Sequence, residues 1–304
     1  MKKDFFKLIT FTLLAFTIVP GWSLANGNLP TNTNSEEIIK VAVIGGMTMT
    51  GMWQKVAEMF ETKTGIRVEI VATGPRSEIE KPFKQGKADL LTMHSGDITT
   101  DLVADGYAIN MIPWTHNSTV IIGPSEDPAG IKGLKSGAEA LKKIAATKSK
   151  YLDMWGIGKR EISQKMWKKA GIFPPEGDWV IKEKRRSIEE ILICLSEQKA
   201  YSFFGRIPIL FEKREFSGLE IMVQDDPDML RPYIVMLANP KAFPNVNFEG
   251  AKKLQDFLLS KEVQDFLGKY RADEFGGIPL FYPLRNKALE ENKIKNNRME
   301  RGRN

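Results

Sequence analysis

Apolar residues along this chain come in short runs separated by polar turns, and their period switches between that of a strand and that of a helix. Residues 41–44 (VAVI) form a continuous apolar run, the pattern of a strand buried on both faces. Gly45-Gly46 lets the chain turn sharply at its carboxyl end. Met52, Val56, Met59 and Phe60 then share one face of a helix, with Thr48 or Thr50 available to cap it. Thr64-Gly65 ends that helix, and residues 66–71 alternate as a second strand. Such a βαβ unit leaves backbone N–H groups free at a helix N-terminus beside a strand end, the edge at which open α/β sheets bind ligands.

The same alternation continues. A short helix has Ile79 and Phe83 inward, residues 88–94 read as a third strand, and a helix after Ser95-Gly96-Asp97 carries Leu102 and Val103 inward. Residues 109–122 alternate, interrupted by Pro113, and read as an extended crossing. A second block predicts helices over 138–146, 163–170 and 188–197 and strands over 200–204, 219–223 and 233–238; residues 211–216 are indeterminate. Residues 248–269 form one long helix or two, with Ala251, Leu254, Phe257 and Leu258 on one face, and 275–283 is a closing loop. Two α/β halves joined by extended segments near 114–122 and 222–234 make a hinge around a cleft.

Composition and charge change the picture mainly at the ends. Lys2, Lys3 and Lys7, an apolar stretch over 8–19 too short to span a bilayer, and Ser23-Leu24-Ala25 give residues 1–25 the form of a secretory signal peptide. No cysteine follows it to take a lipid anchor, and the single cysteine, Cys194, excludes an intramolecular disulfide. The formal net charge of +6 is carried by residues 1–25 and by the tail 284–304, so the body between them is neutral and nucleic-acid binding loses its support. The expected organisation is a signal peptide 1–25, a first lobe of 36–116 and 231–283, a second lobe of 117–230 and a charged tail 284–304.

The search for chemistry is largely negative. The two histidines, His94 and His116, do not form a zinc-binding His-Glu-x-x-His, and there is no nucleophile elbow, Walker loop or dinucleotide fingerprint. No carboxylate spacing marks an acid–base pair, so the chain reads as a binding protein rather than an enzyme, with no cofactor. Met47, Met49, Met52, Met93 and Met154 with His94 raise a soft-metal alternative, against which stands ordinary gap-filling by methionine. Of Trp53, Trp114, Trp155 and Trp179, at least half are assigned to packing. Trp155 is the exception, because it lies in a loop where nothing obliges an indole to be buried.

The stretches GKADLLTMHSGD (86–97), LVADGYAINMIPW (102–114), VIIGPSEDPAGIKGL (120–134), MWKKAGIFPP (166–175), RPYIVMLANPKAFPNVNFEGAKKLQDFLLS (231–260) and FGGIPLFYP (275–283) carry a resemblance. The chain resembles the periplasmic tungstate-binding proteins of ABC importers, a branch of the type II periplasmic-binding-protein fold, over most of 38–283. The resemblance implies an α/β fold of two lobes, a two-segment hinge, a ligand in the cleft between the lobes, and docking on an inner-membrane ABC permease. The family's ligand loops are less well matched. Ile44, Gly45 and Gly46 stand where its first loop has two threonines and a serine. In the segment 151–158, Leu152, Gly156 and Gly158 replace an arginine, a serine and a threonine. Within 204–208 Arg206 alone is retained.

An oxyanion taken out of water needs several fixed donors, and most of the family's are missing here. The expectation is therefore a monomeric periplasmic solute-binding subunit that captures a small anionic ligand, organic rather than tungstate, in a roomier and more apolar cleft. Its expected site residues are Gly45, Gly46, Met47, Thr48, Thr73, Arg76, His94, Trp155, Gly156, Lys159 and Arg206, with Arg206 as the main positive charge and Trp155 as a flat wall. The alternatives are a tungstate or molybdate site with rebuilt loops, and a soft-metal-binding or sensor protein.

Overall fold

A computed structural model of the chain describes residues 37–154, 159–183, 187–211 and 218–284, except for the side chains of Met154, Lys159 and Glu183. The expected signal peptide, the tail beyond residue 284, Trp155, Gly156 and most of 211–216 lie outside the described residues.

The first lobe begins β1 (Ile38–Ile44), α1 (Gly45–Met49), α2 (Met52–Thr64), β2 (Arg67–Gly74), α3 (Arg76–Lys84), β3 (Leu90–His94), α4 (Asp97–Ala104) and β4 (Ala108–Pro124). The second lobe follows as α5 (Gly137–Thr147), β5 (Tyr151–Met154), α6 (Lys159–Lys169), β6 (Val180–Glu183), α7 (Ile188–Glu197), β7 (Ser202–Gly205), α8 (Arg206–Phe211) and β8 (Leu219–Val223). The chain then returns through β9 (Leu230–Ala238), α9 (Phe248–Leu258) and α10 (Lys261–Leu267).

The main sheet runs β2-β1-β3-β9-β4-β7, with β8 also paired to β4. β1 is parallel to β2 and β3, while β9 is antiparallel to both β3 and β4. β4 joins the two lobes. Its first part pairs with β9 as far as Ser118↔Leu230, and from Thr119 onward it pairs with β7 and β8. The strand is continuous over 17 residues. Pro113 does not end it: it pairs with Ile234, and the register shifts on either side of it, between Ile109 and Ile112 and between Pro113 and Thr115. β5 and β6 form a small parallel pair beside β7.

Each lobe has its own apolar interior. Val41, Trp53, Phe60, Leu91, Trp114 and Leu237 belong to the first. Ile121, Leu141, Trp167, Tyr201 and Phe203 form one cluster of the second lobe, and Val120, Leu152, Leu195 and Phe204 form another. The helix α8 breaks this segregation: Ile207 is buried among first-lobe residues, and Leu210 and Phe211 pack against them.

Several local expectations change. The glycine turn after β1 is itself a one-turn helix, and of the two threonines only Thr50 serves α2, its Oγ1 accepting the Met52 N–H at 3.4 Å. Thr48 Oγ1 donates to Gly45 O at 3.0 Å, and Thr50 Oγ1 donates to Gly46 O and Met47 O at 3.1 and 3.0 Å. The N-cap of α2 is Gly51, whose φ of 77° suits a residue without Cβ. The long C-terminal helix is two helices, because Ser260 Oγ accepts the Val263 N–H and starts α10 afresh. The short strands β5 and β6 and the helix α8 were not expected from the apolar pattern. Cys194 is buried, as its helical position implies.

Of the five methionines, Met47, Met52 and Met93 belong to the first core, and the side chain of Met154 lies outside the described residues. Met47, Met52 and Met93 are fully buried, whereas Met49 is 49% exposed. Trp53 and Trp114 pack edge to face in the first core with centroids 6.2 Å apart, and Trp179 packs near Trp167 in the second.

Candidate functional site

Where β4 passes between the lobes, a cavity of about 160 Å3 opens. The first lobe contributes Gly46, His94, Arg231 and Tyr233; β4 contributes Asn117 and Thr119; the β7–α8 junction contributes Gly205, Ile207 and Pro208. The β-sheet order explains the meeting. β1, β3 and β9 are neighbours, so the end of β1 (Gly46), the end of β3 (His94) and the start of β9 (Arg231, Tyr233) share one edge. The register pairs His94 with Tyr233, and their rings stack with centroids 4.1 Å apart.

The charge of the site comes from two guanidiniums. Arg76, at the start of α3, and Arg231 each donate through Nη2 to the carbonyl oxygen of Ser95, both at 3.3 Å. Arg76 Nη1 and Arg231 Nε are buried and have no hydrogen-bond partner among the described residues. Burial, reinforced by the repulsion of Arg76, pushes Arg231 down to about 10. Burial also lowers Arg76, partly offset by Glu161 and Asp97. His94 is held well below its ordinary value, first by burial and then by Arg231 and Arg76, against its hydrogen bond to Asn117 as acceptor. At neutral pH it is an uncharged imidazole with one face on Tyr233. Burial raises the Tyr233 phenol, which stays protonated. Tyr233 Oη lies 3.5 Å from the position a Cβ on Gly46 would take, so this glycine keeps the cavity open beside the hydroxyl.

The expected residues are thus partly assembled. Gly46 and His94 line the cavity, and Arg76 stands beside Arg231. Gly45 faces the backbone of Gly74, at 3.4 Å from where its Cβ would be. The Met47 side chain is in the core, where Thr92 Oγ1 donates to its sulfur at 3.8 Å. Thr48 and Thr73 bond to each other, hydroxyl to hydroxyl, at 2.8 Å rather than facing the cavity. Lys159 begins α6, and its side chain lies outside the description, as do Trp155 and Gly156.

Arg206 is turned away from the cavity. It is 2% exposed, and its guanidinium donates to Pro279 O at 2.9 Å and to Ile278 O at 3.4 Å, with Phe275 beneath it at 5.8 Å. Its fixed charge holds α8 to the closing loop. The cavity arginine is Arg231, which the sequence pattern places in the crossing segment just before a strand and the structure places in the second position of β9. Ile207 and Pro208 of α8 line the cavity and give it an apolar side.

The pattern of the family described as bacterial extracellular solute-binding protein matches residues 41–270. A tungstate-binding protein TupA from Peptoclostridium acidaminophilum is 30% identical over 256 residues, spanning 83% of this chain and 87% of the relative. Among solved structures, the tungstate ABC transporter from Geobacter sulfurreducens is 28% identical with a TM-score of 0.64, covering 78% of this chain and 100% of that one. The tungstate-binding protein TupA from Desulfovibrio alaskensis G20 has a TM-score of 0.66 at 24% identity and covers 82% of this chain and all of that one, so it shares the fold. The two-lobed α/β architecture is that of a type II periplasmic binding protein, and this chain belongs to the bacterial extracellular solute-binding protein family.

Proposed function

We propose that the protein is the periplasmic subunit of an ABC importer that captures a small anion in the cavity between its lobes and delivers it to a membrane permease. The observation that carries this reading is the arginine pair at the cavity edge. Two half-buried guanidiniums share one backbone carbonyl and keep two buried N–H groups, Arg76 Nη1 and Arg231 Nε, without partners among the described residues. Like charges are held together in a low-dielectric site at a cost that a bound anion offsets. Neutral His94, Asn117, Thr119 and the Tyr233 hydroxyl add polar groups around that charge, and Ile207 and Pro208 give one apolar wall. A volume of about 160 Å3 suits a tetrahedral oxyanion or a small organic acid.

Tungstate itself is the second reading, favoured by the 30% identical relative named as a tungstate-binding protein. A thermal-shift panel of tungstate, molybdate, sulfate, phosphate and small carboxylic acids tests both, because a ligand that binds only the folded state raises its melting temperature by mass action. Arg231→Gln removes a charged donor and is expected to weaken the responding anion by about 3 kcal/mol, near a hundredfold. A panel in which no anion shifts the melting temperature would remove the anion reading.

A further inference from the structure

The arginine pair faces a carboxylate from the opposite lobe. Glu161, in the first turn of α6, places Oε2 4.0 Å from Arg231 Nη2. Its other oxygen lies 3.7 Å from the position a Cβ on Gly96 would occupy, and the Arg76 Nη1 lies 3.3 Å from the same point. Glu161 therefore stands over Gly96, across from both guanidiniums. It is not a tight ion-pair partner. The separation exceeds hydrogen-bond distance, the carboxylate is 48% exposed, and Arg76 Nη1 and Arg231 Nε remain unpaired in its presence. Asp97, at the start of α4, is the other acid whose charge acts on Arg76.

From this juxtaposition we infer that Glu161 is a charge-selecting residue: it admits anions that carry a proton to donate and disfavours dianions that carry none. The inference rests on the anion reading of the cavity. A ligand held by Arg76 and Arg231 presents its other side to Glu161. A bare dianion such as tungstate has only lone pairs to offer there and meets a like charge. A protonated oxyanion, or an organic acid bearing a hydroxyl or ammonium, donates to the carboxylate while its anionic oxygens accept from the arginines. Glu161 then strengthens binding of the second class and weakens the first. The ligand class this selects is amphoteric, with acceptor oxygens at one end and an N–H or O–H donor at the other.

The test uses two probes, inorganic phosphate, which keeps a proton at neutral pH, and tungstate, which does not. Affinities are measured by calorimetry on the wild type, Glu161→Gln and Arg231→Gln, with melting temperatures as a check of folding. The wild type is expected to prefer phosphate by about tenfold or more. Glu161→Gln keeps the shape, removes the charge and can itself donate, so it is expected to shift the phosphate-to-tungstate ratio toward tungstate by at least about tenfold. A ratio unchanged by Glu161→Gln, with binding still lost in Arg231→Gln, overturns the selection and leaves the anion site standing. Binding of both probes that neither variant alters overturns both readings, and no binding of either probe by the wild type overturns the selection, the anion reading then standing or falling with the wider panel.

Discussion

His94 shows how a single residue reads its surroundings. Its ring is stacked on Tyr233, with two guanidiniums nearby, and burial and those charges disfavour the imidazolium. In the unfolded chain an imidazole takes up a proton near pH 6.5, whereas folded His94 does so only at lower pH. Below about pH 6.5 the unfolded state thus binds more protons, and stability is lost as the pH falls; above it His94 adds no slope. Melting temperature should therefore drop between pH 7 and pH 5.5 in the wild type and drop less steeply in His94→Gln. Parallel slopes in the two proteins would mean that His94 is not held neutral. The same cluster shows what a sequence conceals at this scale. His94 and Gly46 could be placed because strand ends at one sheet edge follow from the βαβ pattern. Arg231 was missed because an arginine at the start of a strand has no local mark of direction. Its partnership with Arg76 arises from the β3–β9 register, which links residues far apart in the chain.

At the scale of an element, α8 gives the cavity its apolar side. It begins at the end of β7 in the second lobe, yet Ile207 is buried in the first-lobe core, and Leu210 and Phe211 pack against that core. Arg206 secures it through the carbonyls of Ile278 and Pro279. Arg206→Ala leaves those oxygens without their charged donor and frees α8, at an expected cost of about 2–3 kcal/mol in urea unfolding. Unchanged stability combined with lost anion binding would instead place the guanidinium in the cavity. Most elements were legible because their apolar period is long enough to register: β1, α2 through α4, α5, α7 and β9 all follow it. α8 was not, because Arg206–Phe211 is six residues with a proline inside and no polar face to reveal a period. β6 was not, because four residues with two lysine-or-glutamate positions offer no alternation worth reading. The position of Arg206 was predicted from a matched family motif, and its orientation is set by a closing loop more than seventy residues away, which no motif spanning 204–208 contains.

For the molecule as a whole, the question is what holds the two crossings between lobes. β4 is one crossing, and the segment from β8 to β9 is the other. The closing loop ties them. His116 and Tyr282 exchange backbone hydrogen bonds of 2.9 and 2.8 Å, Thr115 Oγ1 donates to Tyr282 O at 2.9 Å, and Tyr282 Oη donates to Asp225 Oδ1 at 3.1 Å. One residue is therefore fixed by its backbone to the first crossing and by its side chain to the second, which couples the hinge strands without entering the ligand cavity. Removing only the hydroxyl leaves the backbone pairing intact, so Tyr282→Phe should cost about 1 kcal/mol of global stability. Its larger effect should be local: amides of residues 222–230 should exchange with solvent faster than in the wild type, while those of β1 and β3 keep their protection. Binding of a ligand that fixes the lobes should narrow that difference. Equal exchange over 222–230 in the two proteins would show that the Tyr282–Asp225 bond does not restrain the second crossing.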